Sequence, residues 1–246
     1  MPSKNITLPS DPTSKRGFKL PRKSREQKER ALEILNKLYE HYPNPHCELN
    51  YTNPFELLIA TILSAQCTDV RVNMVTEDLF RDYPTVDAFA EADLEELEQA
   101  VRPTGFYRNK AKSIKETAIT VRDQFDGEVP QTMDELLTMR GAARKTANVV
   151  LGNAFNINAG VVVDTHVRRF SQRFRLTKHE NPEKIERDLM ALFPRESWTD
   201  LSHLMIHHGR AACKARFAKP SNHELGVKYG EKCECQKMRA LEAAQL

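Results

Sequence analysis

"LLTMRGAARKTANVVLGNAF", Leu136 to Phe155, decides the fold. Helix-forming residues run to Met139, Gly141 interrupts them, and a second helix-like run carries the apolar stretch "TANVVL". Glycine enters positive φ without steric cost, so this punctuation predicts two helices joined by a tight turn, a helix–hairpin–helix. Such a turn presents backbone N–H groups and a helix N-terminus, which together suit a phosphate. Arg140 and Arg144 flank the turn and add positive charge there. An ordinary connection between two packed helices is the competing account.

The rest of the chain carries the same helical signals. "SREQ" (Ser24 to Gln27) offers a capping box, followed by an apolar stripe of Ala31, Ile34, Leu35, Leu38 and Tyr39. In "NPFE", Asn53 is a good N-cap, Pro54 fits the first helical position and Glu56 is placed to reach back. "FELLIATILSA" is apolar on nearly every face, so that helix should be buried. Ala111, Ile114, Ala118, Val121 and Phe125 form another stripe, beginning after Asn109. "TMDE" (Thr132 to Glu135) caps a short helix ending near Met139, and Asn181 caps a helix whose Ile185, Leu189, Leu192 and Phe193 face inward. A last helix should pass through "LSHLMIHHGRAAC". We expect about ten helices; "VVV" (Val161 to Val163) is too short to build a sheet. The class is all-α.

The 246 residues allow one large domain or two small ones. No membrane span is expected, and the N-terminus lacks the apolar region of a secretion signal. Five unevenly spread cysteines do not make a disulfide framework, so a reducing compartment is expected: the cytoplasm, and the nucleoid if the source is bacterial. Residues 1–25 carry seven Lys/Arg against one Asp, a net of +6; the whole chain is +3, so the remainder is 3 − 6 = −3. The segment up to residue 23 is basic and without periodicity, and is expected to be disordered. Residues 101–115 hold five basic residues and no acid, as do residues 165–178, whereas residues 87–98 hold six carboxylates and no base. Basic segments sorted in this way suit a polyanion, with solvated helix faces as the bland alternative.

Lys145 opens the second helix-like run, and Asp164 follows three valines nineteen residues later. A lysine amine attacks carbon only when unprotonated, which burial or a neighbouring cation promotes. A carboxylate brought near it would orient the amine and stabilise positive charge developing on a substrate. An arbitrary lysine at a helix start is far more often a surface residue, and spacing alone does not overturn that.

Several ordered motifs together resemble the endonuclease III family, bifunctional DNA glycosylases of the helix–hairpin–helix superfamily. "LNYTNPFELLIATILSAQCTD", "RPTGFYRNKAKSI", "GAARKTANVVLGNAF", "VVVDTHVRRF" and "HHGRAACKAR" carry the resemblance, which extends from about Ser24 to Cys213. It implies two helical domains flanking a DNA-binding cleft. One is a six-helix domain, residues 47–157, with the hairpin; the other comprises residues 24–46 plus 158–246. It implies that Lys145 is the nucleophile and Asp164 its carboxylate partner, acting on a base flipped out of damaged double-stranded DNA. Lys145 would displace an oxidised pyrimidine from C1′, and β-elimination would cut the strand. Relatives that only hydrolyse the glycosidic bond lack the lysine. Gln66 and Phe106 match the side chains that fill the gap left in the stack, and Arg140, Gly141, Ala143 and Arg144 form the DNA-binding hairpin. A monomer is expected.

The chain departs from the family pattern twice. The hairpin usually has Gly-Val-Gly where this chain has Gly141, Ala142 and Ala143. If the last position needs positive φ, alanine there costs about 1 kcal/mol and weakens docking. The family also ligates a [4Fe–4S] cluster through C-x6-C-x2-C-x5-C. Cys213 fits the first place, but Cys233 follows only after nineteen intervening residues, Cys235 after one more, and a fourth cysteine is missing. Three would need a substitute ligand such as His223 or a water. The glycosylase chemistry itself needs no cofactor. These departures give weight to a second reading, a non-catalytic helix–hairpin–helix DNA-binding protein; a monofunctional glycosylase is the third. Thr165 is expected to cap a helix, with His166, His207 and His208 packed as structural residues.

Overall fold

The computed structural model describes residues 19–215, Leu225 and Lys228. The expected disordered tail, apart from its last residues from Lys19 on, lies outside the described residues, as do Cys233, Cys235 and His223. Among the described residues there are eleven α-helices and no strand. The expected all-α class holds.

α1 (Arg25–His41) starts on the Ser24–Gln27 capping box, with Gln27 N donating to Ser24 Oγ at 3.1 Å and Ser24 N to Gln27 Oε1 at 2.9 Å. α2 (Pro54–Leu63) is buried on nearly every face, as its apolar sequence demands. Its cap differs in one respect: Glu56 reaches past Asn53 and accepts from Thr52 N at 2.6 Å. α3 (Asp69–Asp82), α4 (Val86–Glu91) and α5 (Leu94–Val101) follow, each capped by a Thr or Asp side chain. α6 (Tyr107–Gln124) begins three residues earlier than its stripe suggests, on a left-handed Phe106. α7 (Met133–Leu136) and α8 (Arg144–Phe155) enclose the hairpin turn. α9 (Thr165–Arg173), α10 (Pro182–Leu192) and α11 (Trp198–Ala211) complete the described fold.

The buried apolar side chains form two clusters. One, from Leu49 to Ala159, draws on the seven helices α2 to α8. The other joins Ala31, Ile34, Leu35 and Leu38 of α1 to Val161, α9, α10, α11 and Leu225. α8 joins the two clusters through close packing and polar ties. A Cβ on Gly152 would lie 2.4 Å from Thr199 Oγ1 of α11. Arg144 Nε donates to Glu186 Oε2 of α10 at 2.7 Å, and Asn148 Nδ2 donates to Glu186 Oε1 at 2.7 Å. That carboxylate is almost wholly buried and answered by two donors, which burial of a charge requires. No described helix is long and apolar enough to cross a membrane.

Candidate active site and nucleic-acid interface

The turn after α7 is tight. Ala142 N donates to Met139 O at 3.2 Å, and Met139 and Ala142 are buried beneath it. Gly141 has φ +82°, and a Cβ there would stand 3.2 Å from Ser113 Cβ and 3.3 Å from Ile62 Cγ2. Gly141→Ala is therefore expected to cost about 1–2 kcal/mol, measured by urea or thermal melting; an unchanged midpoint would count against the turn geometry. Ala143 behaves differently. It is the N-cap of α8 with φ −72° and ψ 169°, an ordinary extended conformation. The strain expected there is absent, because Gly141 alone carries the left-handed turn.

No side chain caps α8. Its leading N–H groups are thus open to a phosphate at the positive end of the helix dipole. Each of the two arginines expected to assist is paired with a carboxylate. Arg140 Nη1 lies 3.1 Å from Glu116 Oε2 on α6; that pair is half-exposed, worth about 0–1 kcal/mol, and easily exchanged for a phosphate. Arg144 is committed to buried Glu186. In the protein without DNA it straps α8 to α10.

Lys145 stands in the first turn of α8 and Asp164 at the start of α9, and the fold brings them to one cavity of about 100 Å³ between the two clusters. Thr61, Ser64, Asp69 and His203 also line it. Asp164 is the N-cap of α9, accepting from Val167 N at 2.8 Å. The expected cap, Thr165, is instead the first helical residue, because the Asp carboxylate reaches the same donors one position earlier. Lys145 is exposed, so the burial expected of it is not present in the protein without DNA.

His166 is packed as expected: its Nδ1 lies 3.0 Å from Arg169 Nη2, it presses on Gly209, and burial lowers its pKa. His208 is buried, and Tyr42 stacks on His207. His203, with Nε2 2.7 Å from Asn153 Oδ1, is pushed down by burial to about 4. Arg210 of α11 closes one side of the cavity, contacting Asp69 Oδ2 at 2.6 Å and Glu48 Oε1 at 3.3 Å. Sequence reasoning missed Glu48, Asp69, Glu186 and Arg210, since their partners are distant in the chain. Glu186 did leave a trace: Met190 and Phe193, four and seven residues on, place it on an apolar helix face.

Gln66 and Phe106 are exposed, Phe106 by 66 %, and both have left-handed backbones, φ 53° and 49°. Phe106 is thus not a core aromatic. Both residues sit on loops that leave the first cluster, Gln66 after α2 and Phe106 before α6.

Residues 59–195 match the family model described as the HhH-GPD superfamily base excision DNA repair protein. Endonuclease III of Synechocystis is 56% identical over 195 residues, which is 79% of this chain and 89% of that protein. Endonuclease III of Escherichia coli K12 is 41% identical over 189 residues, 77% and 89% of the two chains. A structure described as a trapped endonuclease III–DNA covalent intermediate aligns with a TM-score of 0.81 at 40% identity, covering 85% of this chain and 98% of that one. The chain belongs to the endonuclease III family of base-excision DNA repair enzymes, DNA glycosylases with AP lyase activity.

The iron–sulfur cluster of that family meets an incomplete ligand set here. Cys213 is fully buried, and its Sγ accepts from Arg173 Nη1 at 3.0 Å. Among the described residues no group of three or more His, Cys, Asp or Glu could hold a metal ion. The three cysteines from Cys213 onward in this sequence fall short of the standard four thiolates.

Proposed function

We propose that Lys145 and Asp164 are the catalytic pair of this enzyme and that oxidised pyrimidines in double-stranded DNA are its substrates. The observation that carries this is their meeting in one cavity between the two apolar clusters, beside an uncapped helix N-terminus and two exposed loop tips. On this reading the clusters are two lobes, residues 47–157 and residues 24–46 with 158 onward, and the duplex docks across the cleft between them.

The α8 N-terminus and Gly141 hold a backbone phosphate, with the small Ala143 and the releasable Arg140 beside it. The damaged nucleotide swings into the cavity, and Gln66 and Phe106 enter the gap. Asp164 faces the sugar and stabilises the positive charge that develops as the glycosidic bond lengthens. Lys145 Nζ forms a bond to C1′ while the base leaves with the bonding electrons. Sugar-ring opening gives an imine, loss of a C2′ proton expels the 3′ phosphate, and water then releases the lysine. An amine gives this imine where a hydroxyl cannot. The relative described as a trapped covalent DNA intermediate supports the scheme. We place the enzyme with DNA in the cytoplasm, as a monomer, and assign Cys213 a structural role.

Incubation with duplexes carrying single lesions, in the presence of borohydride, is the test. Covalent protein–DNA adducts are expected with oxidised pyrimidines and abasic sites and not with undamaged duplex. Lesion-specific binding with no adduct would instead support the non-catalytic DNA-binding reading.

A further inference from the structure

Lys110 is a buried lysine that the reaction leaves unused. It lies on α6, is 5% exposed, and donates from Nζ to Leu63 O at 2.8 Å and Thr104 O at 2.8 Å. Both acceptors are neutral, and burial lowers the pKa of the ammonium, opposed by the nearby Cys67 sulfur. Methionine could fill the same volume without placing a cation in the interior, so packing does not account for a lysine here.

The identity of the acceptors does account for it. Leu63 is the last residue of α2, three before Gln66; Thr104 ends the 3₁₀ turn Arg102–Thr104, two before Phe106. Each loop leaves its carbonyl and runs at once to an exposed tip with left-handed backbone. The same nitrogen therefore holds the bases of two loops that are far apart in sequence. Thr104 Oγ1 donates to Val101 O at 2.8 Å, which stiffens the second base further.

We infer that Lys110 is a positioning residue: its ammonium, bridging the carbonyls of Leu63 and Thr104, sets the spacing of the Gln66 and Phe106 tips so that both enter the gap left by the flipped nucleotide. This rests on the reading of those tips as gap-filling side chains. Lys110 is not among the residues lining the cavity of Lys145 and Asp164.

Lys110→Met in the full chain keeps the volume and removes the donor. Single-turnover release of an oxidised pyrimidine from duplex is expected to fall about tenfold or more, while borohydride trapping on a single-stranded abasic oligonucleotide, which has no stack to open, stays within about twofold. In Lys110→Met/Phe106→Ala the duplex loss should be smaller than the product of the single losses, because both act through one gap. Equal losses on duplex and single strand would assign Lys110 to folding alone and overturn the inference, as would a multiplicative double variant. If Gln66→Ala and Phe106→Ala leave duplex excision unchanged, the gap-filling reading fails and takes the inference with it. If they lower excision and Lys110→Met does not, the inference alone fails. Should Lys110→Met not fold, Lys110→Gln with amide hydrogen exchange decides the matter. Residues 64–67 and 104–107 should then exchange faster together; a change in one loop only, or in neither, overturns the bridge.

Discussion

Lys145→Ala is expected to abolish the borohydride-trapped adduct and to slow base release from a damaged duplex by about 10⁴-fold or more. The reason is chemical: on the proposed mechanism the ε-amine supplies both the bond to C1′ and the imine that makes β-elimination possible, and no other described lysine is among the residues lining that cavity. Because Lys145 is exposed, its loss should leave the melting free energy within about 0.5 kcal/mol. Lys145→Arg is the sharper control. It keeps the positive charge facing the phosphates, so duplex affinity at fixed salt should hold, but a guanidinium cannot form the imine. Strand cleavage that persists in either variant with an adduct still trapped would place the nucleophile elsewhere.

Sequence and structure part company at this residue in one respect. The apolar "TANVVL" wall predicts a desolvated lysine, yet those apolar side chains turn into the core from Thr146 onward and leave Lys145 outside. Residue type and order along the chain were legible; desolvation was not, because it depends on what closes over the cavity, and the flipped nucleotide itself would do so. The helices were legible for local reasons. Ser24, Asn53, Thr132 and Asn181 each cap the helix that their position announced. Left-handed φ at Gly141 was legible from glycine; the relaxed φ at Ala143 was not, since it shows only once the turn is built.

What escaped sequence reading is the set of long-range polar ties. Arg144 resembles a phosphate ligand until Glu186 of α10 arrives beside it, 42 residues on. A Cβ on Gly160 would stand 2.0 Å from Glu186 Oε1, so the carboxylate and the glycine require each other, which neither shows alone. Arg210 in the same way joins α11 to the start of α3 across 141 residues. These ties fix the two apolar clusters against each other and so define the cavity in which Lys145 and Asp164 meet.

Asp164 has two duties, and substitution can separate them. As the N-cap of α9 it accepts from Val167 N; its proposed second role is to present negative charge in the cavity that it and Lys145 both line. An asparagine amide would still offer an acceptor, and Asn ranks with Asp as an N-cap, so Asp164→Asn should leave stability nearly unchanged. The same variant removes the charge that stabilises the developing sugar cation, and base release should fall about 10²–10³-fold. Cleavage at a preformed abasic site should fall less, because no base departs from an aldehyde and no glycosidic cation has to be stabilised. Asp164→Ala loses cap and charge together, adding about 1 kcal/mol of destabilisation to the same catalytic defect. Paired melting curves and single-turnover rates for the two variants test the assignment. Full activity in Asp164→Asn would reduce Asp164 to a helix cap, whereas a catalytic loss that tracked only the melting temperature would show that α9, and not the carboxylate, is what the reaction needs.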